Sequence, residues 1–194
     1  MRERPMLQDV PVPPKSYHPV AKMLHWLVAV LVIAMIPIGQ VMVLEGLPRI
    51  VQNTLFLLHK NGGVLVGILM VIRLGVRLVL SPPKMPATVP TLQRRVASAA
   101  HWLLYVLVLT MAVSGYLRVV AGGYPIEGLD GLGVPHLIAR NALVETIAKD
   151  VHYYAHFALI AVILAHVAGA LYHLLWLRDG IFARMWPSPR NHRR

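Results

Sequence analysis

The sequence predicts an all-α integral membrane protein, a bundle of four transmembrane helices, and three observations carry that prediction. Hydrophobic residues make up 57% of the 194-residue chain and charged residues only 14%, a balance too apolar for an ordinary water-soluble domain. The apolar residues collect into four runs, each long enough at about 1.5 Å per residue to cross about 30 Å of hydrocarbon. Lys and Arg sit at the flanks of those runs, which is the distribution of a membrane protein.

The first run spans about Val20 to Leu44 and contains Pro37 and Gly39, so a kink is expected there. The second spans about Thr54 to Leu80, the third about Val96 to Val120, and the fourth about Thr146 to Leu177. None alternates apolar and polar residues as a barrel strand does, and helices satisfy their own backbone in lipid. The connection from Ser81 to Pro90 holds Pro82, Pro83, Pro86 and Pro90 and cannot be helical throughout. The longest connection, Ala121 to Glu145, is glycine-rich, and its segment Leu137 to Val144 is expected to form a short interfacial helix. Residues 1–17 read as a polar, proline-rich extension, 18–180 as the membrane domain and 181–194 as a basic tail. The extension does not read as a cleavable signal, since the apolar run behind it is too long and no small-residue cleavage site follows.

In a four-span chain the N-terminus, the second connection and the C-terminus share one side. With their flanks they hold fourteen of the nineteen Lys and Arg residues, against five (Arg49, Lys60, Arg118, Arg140 and Lys149) on the other. The positive-inside rule then puts both termini in the cytoplasm. The net charge of +11 is therefore a topology signal. Nucleic-acid binding would need a basic soluble face with interleaved aromatic residues, and none is present.

Cysteine is absent, which excludes disulfides, zinc–thiolate sites and iron–sulfur clusters. The ten histidines become the metal-ligand candidates. Ligating residues inside spans are costly to bury and mark function. His25 lies near the cytoplasmic end of the first run, His59 near the opposite end of the second, and His101 at the start of the third. The fourth run carries His152, His156, His166 and His173. His152 and His166 are fourteen residues apart, so they share a helix face at a separation of ~21 Å, a stagger suited to two stacked haems. Imidazole is a good axial ligand to haem iron, and two imidazoles per iron leave no open position, which suits electron transfer. His59 matches His152 in depth. The depth of His25 falls between those of His166 and His173, and spacing alone does not choose between them.

Arg73 and Arg77 follow His59 by fourteen and eighteen residues and point toward the same face. They suit haem propionates, or equally lipid phosphate reached by snorkelling. Lys60 reads likewise as a propionate partner or an interfacial anchor. Gly62 and Gly63 clear the backbone beside His59 for a flat macrocycle or for a neighbouring helix. His18, His136 and His192 fall outside the spans and read as polar anchors.

These residues resemble a known family, the bacterial di-haem cytochromes b561, a group that includes superoxide oxidase. The resemblance rests on Leu24-His25-Trp26, on His59-Lys60-Asn61-Gly62-Gly63, on Arg73 and Arg77, on His101, and on His152, His166 and His173 ahead of Trp176-Leu177-Arg178-Asp179. It covers nearly the whole chain after the extension. It implies that His25 and His166 ligate the iron of a cytoplasmic-side haem b, and His59 and His152 that of a periplasmic-side one. His101 and His173 then take supporting roles. The N-terminal extension and His156 are not part of the family pattern.

The implied activity is electron transfer to or from the quinone pool, including oxidation of superoxide with reduction of ubiquinone. The expected partners are membrane lipid, ubiquinone or another quinone, and superoxide or a periplasmic redox protein; a homodimer stays open. Two rival readings are a haem-bearing anchor subunit that relays electrons for a periplasmic dehydrogenase or hydrogenase, and a haem-free membrane carrier or assembly protein.

Overall fold

A computed structural model describes residues 16–187, and all regular structure among them is helical. Helix α1 runs Pro19–Val41, α2 Arg49–Val79, α3 Thr91–Ala121, the short α4 Glu127–Gly131, and α5 Ala142–Leu171. A π-helical turn, Tyr172–Leu177, prolongs α5, and a 3-10 turn, Phe182–Arg184, follows. Four of these, α1, α2, α3 and α5 with its π turn, are long and apolar enough to cross a membrane. Exposed Val, Leu and Ile cover their outer faces, as a lipid-facing surface requires.

The caps explain the boundaries. His18 caps α1, its Nδ1 accepting from the Val20 amide at 3.3 Å, with Pro19 in the first helical position where no amide is missed. Pro48 and Pro90 stand at the starts of α2 and α3, so both helices begin some five residues before the apolar runs do. Helix α1 continues through Pro37. The segment Leu137–Val144 is not the short helix expected. Its first five residues are irregular, because the Leu137 amide donates to the Tyr116 hydroxyl and the Asn141 amide to the Ala121 carbonyl. Asn141 is extended (φ −154°), and its side chain accepts from the Leu143 and Val144 amides to start α5. The short helix of this connection is α4 instead.

Helix α1 packs on α2, α2 on α3, and α3 most extensively on α5. The core between them is apolar: Val28, Val32, Val66, Met70, Tyr105, Leu107, Val108 and Leu159. Gly67 of α2 approaches Ala112 of α3 so closely that a Cβ on it would lie 3.0 Å from the alanine Cβ, a small-residue helix contact. Helix α5 has no comparable backbone interface with α1 or α2; it faces them across histidine side chains.

The two ends of the bundle are closed differently. At the end bearing α4, Lys60 Nζ bonds Glu127 Oε1 at 2.6 Å and the Pro125 carbonyl at 2.8 Å, and Asn61 Oδ1 accepts from the Gly128 amide at 2.8 Å. At the termini end, buried Arg184 donates to the carbonyls of Pro83 and Lys84. Its own carbonyl accepts from Ser16 Oγ and the Tyr17 amide, and Trp26 Nε1 donates to the Met185 carbonyl at 3.0 Å. The start of the region expected to be a basic tail is thus folded against α1 and the proline-rich connection. The stretches 1–15 and 188–194 of the expected extension and tail, with His192, lie outside the described residues.

Candidate haem site

Four histidines face one another in two pairs. At the α4 end His59 of α2 meets His152 of α5, with ring centroids 6.3 Å apart and planes at 80°. At the termini end His25 of α1 meets His166 of α5, again at 6.3 Å, with planes at 74°. An iron bound by two axial imidazoles separates their ring centres by about 6 Å, from two iron–nitrogen bonds of about 2 Å each and about 1 Å from each nitrogen to its ring centre. Both pairs have that separation. His101 of α3 approaches the His166 ring at 5.3 Å, closer than a shared iron would hold it, so it flanks the pair.

The surroundings fit ligation at Nε2. The Nδ1 of His152 lies 3.1 Å from both the Met111 carbonyl and Ser114 Oγ. A carbonyl can only accept, so Nδ1 carries the proton and Nε2 the lone pair. His59 Nδ1 is buried and makes no hydrogen bond of ordinary geometry among the described residues. Glycines make room for these rings: a Cβ on Gly39 would lie 2.7 Å from His59 Cε1, and one on Gly115 would lie 3.2 Å from His152 Cε1. At the termini end a guanidinium nitrogen of Arg73 donates to His25 Nδ1 at 2.8 Å. That contact needs a lone pair on Nδ1, so ligation of iron through Nε2 requires the guanidinium to turn away. Arg73 also lies over the Tyr105 ring, and Arg77 lies over Trp102 and Tyr105. Neither arginine has a carboxylate partner among the described residues. Both line a small cavity with Tyr17, Tyr105 and Met185, a cationic recess beside the His25–His166 pair.

Known proteins settle what such a bundle is. The sequence profile of prokaryotic cytochrome b561 matches residues 16–188. The chain belongs to the prokaryotic cytochrome b561 family. It is 28% identical to cytochrome b561 homolog 2 of Escherichia coli (strain K12) over 172 residues, covering 89% of this chain and 92% of that protein. It is also 28% identical to cytochrome b561 homolog 1 of the same organism over 130 residues, covering 66% and 73%. A third relative, the probable superoxide oxidase CybB of Yersinia pestis, is 28% identical over 168 residues, covering 86% and 93%. This cytochrome b561 is accordingly a membrane electron-transfer protein whose cofactor is b-type haem.

The remaining expected residues lie elsewhere. Lys60 is engaged by Glu127 and Pro125 in the α4 connection. His173, buried within the π turn, bonds Asp179 Oδ2 through Nδ1 at 2.6 Å and meets Gln93 through Nε2 at 3.3 Å. His156 bonds the Tyr153 carbonyl of its own helix and stacks near Phe157. His136 pairs with Asp130 at 2.9 Å. Gly62 packs toward Met35 of α1, whereas a Cβ on Gly63 would meet nothing within 4 Å. Three positions beside these rings escaped sequence reasoning as neighbours of the histidines: Gly39, noted only for a kink, Ser114 and Gly115. A Ser-Gly pair inside an apolar span was a visible signal, but small residues serve helix packing equally well.

Proposed function

We propose that this cytochrome b561 holds two haem b groups and moves electrons between the membrane quinone pool and a donor or acceptor at the opposite surface. His25 and His166 would hold one iron toward the termini, and His59 and His152 the other toward α4. The observation that carries the reading is the equal 6.3 Å facing of the two histidine pairs, each pair drawn from two helices with little other contact. Bound haem supplies reversible one-electron exchange.

The chain's part is to bind, orient and exclude water. Four imidazoles would hold the two irons, a ligand set that suits electron transfer rather than oxygen binding. Arg73 and Arg77 supply cations for propionates beside the His25–His166 pair, with Arg73 leaving His25 Nδ1 to do so. His101 and His173 support the same end. The excess of Lys and Arg around the termini supports a cytoplasmic location for that end of the bundle, in an inner membrane.

The specific reaction we favour oxidises superoxide at the α4 end and reduces ubiquinone: two superoxide ions give up one electron each, and the quinone takes two electrons and two protons to become quinol. The full-length similarity to a probable superoxide oxidase supports it. So do Arg118 and Lys149 near that end, which attract an anion; Lys60, held by Glu127, contributes less than its charge suggests. Two measurements test the reading. A reduced-minus-oxidised spectrum of purified protein should show b-type bands and two haems per chain, with one lost in each of His59→Ala and His166→Ala. Superoxide should drive ubiquinone reduction by the isolated protein. Bands indifferent to both substitutions would overturn the ligand assignment. Intact bands without superoxide-driven reduction would point to a different donor, such as a periplasmic dehydrogenase.

A further inference from the structure

Ser114 is 4% exposed, and its hydroxyl stands at a junction of two helices. Its Oγ lies 2.6 Å from the Thr110 carbonyl, 3.3 Å from the Met111 carbonyl and 3.1 Å from His152 Nδ1. A serine hydroxyl has one proton to give. Thr110, at the shorter distance, takes it, so the hydroxyl presents a lone pair to the imidazole and His152 Nδ1 is the donor. The Met111 carbonyl, also 3.1 Å from Nδ1, makes the same demand. His152 is thus offered two acceptors. The His59 ring has the Met35 carbonyl as its backbone acceptor, but its buried Nδ1 makes no hydrogen bond of ordinary geometry among the described residues, and His25 Nδ1 faces a guanidinium donor.

Serine in a membrane helix often bonds back to the carbonyl four residues earlier, and the Thr110 contact is of that kind. That habit does not explain the second contact, to a ring on another helix. Gly115, the next residue, leaves the space in which that ring lies.

We propose that Ser114 is a positioning residue whose hydroxyl, a second acceptor beside the Met111 carbonyl that already sets the His152 tautomer, lowers the reduction potential of the iron His152 would bind. A hydrogen bond accepted from Nδ1–H gives the imidazole imidazolate character, makes it a stronger donor to iron and favours the ferric state. The inference rests on His152 being an axial ligand. Its test is a spectroelectrochemical titration of the purified holoprotein, resolving both haems, in wild type, Ser114→Ala, Ser114→Thr and Ser114→Cys.

In Ser114→Ala one midpoint potential should rise while the other stays, and in Ser114→Thr, which keeps the hydroxyl, both should stay near wild type. Ser114→Cys, close in size and a weaker acceptor, should shift the same haem upward by less, and it serves as the test should the alanine variant lose haem. Two haems with both potentials unchanged in Ser114→Ala, or in Ser114→Cys if the alanine variant fails, would overturn the proposal and leave the haem assignment standing. A His152→Ala variant that still holds two haems would overturn the assignment itself.

Discussion

Imidazole binds iron only through a nitrogen with a free lone pair, so the neighbours of the other nitrogen and the space around the ring decide whether a histidine is ready to ligate. At the α4 end that space is left by glycines from two helices. A methyl on Gly39 would stand 2.7 Å from His59 Cε1, inside any real contact, while one on Gly115 would stand 3.2 Å from His152 Cε1, a distance a small ring shift relieves. Gly39→Ala should therefore displace His59, at a cost of about 1–3 kcal/mol of overpacking, and reduce haem content toward one per chain. Gly115→Ala should retain both haems with a perturbed spectrum. Haem-to-protein ratios of the two purified variants check this, and equal loss in both would contradict it.

The elements are joined at each end by a separate device. The α4 staple is electrostatic. Partial burial pushes the Glu127 carboxyl upward, but the hydrogen bonds from Lys60 and Asn61 and the Lys60 charge outweigh that and hold it below its ordinary value of 4.5. A lowered carboxylate contributes stability that is complete above its unfolded value and is lost as pH falls through the folded one. The melting temperature of Glu127→Gln should accordingly lie slightly below wild type at neutral pH, with the gap closing as pH falls through and below 4.5. Because the Glu127 side chain is 39% exposed, the gap should also shrink in high salt.

The clasp at the termini is a backbone device. Arg184, 4% exposed, donates to two carbonyls of the proline-rich connection, which have few alternative donors because prolines interrupt the segment. Arg184→Ala should cost about 1–3 kcal/mol per charged hydrogen bond lost. Limited proteolysis of the detergent-solubilised variant should show faster cleavage within 81–90 and 181–187.

Across the whole molecule, α5 is held to α3 by packing and faces α1 and α2 through the two histidine pairs. Haem bound between those pairs would be the mortar on that side. Protein made under haem limitation should melt at a lower temperature than holoprotein, with α5 cleaved first, since whatever binds only the folded state stabilises it. Orientation can be tested on the same scale, because the chain has no cysteine of its own. Single cysteines at Ser16 and Glu45, which flank α1, should label oppositely with a membrane-impermeant maleimide in whole cells. Glu45 should react and Ser16 should not.

How much was legible in the sequence follows from what kind of physics each feature obeys. Span number and the bias of Lys and Arg are properties of composition against a bilayer about 30 Å thick, and they can be read without a partner helix. The shared face of His152 and His166 is a property of one helix's period, so it too was visible. Relations between helices were not. Which ring flanks which, that Lys60 is spent on Glu127, that Gly39 and Gly115 stand against imidazoles, and that Ser114 reaches His152 depend on the depth and rotation of one helix against another. Packing sets those, and no single helix encodes them. Helix period and hydropathy alone yield a four-span membrane bundle with histidines at two depths, and the family resemblance implies which of them pair; the 6.3 Å facing of each pair comes from packing, because that distance belongs to two helices at once.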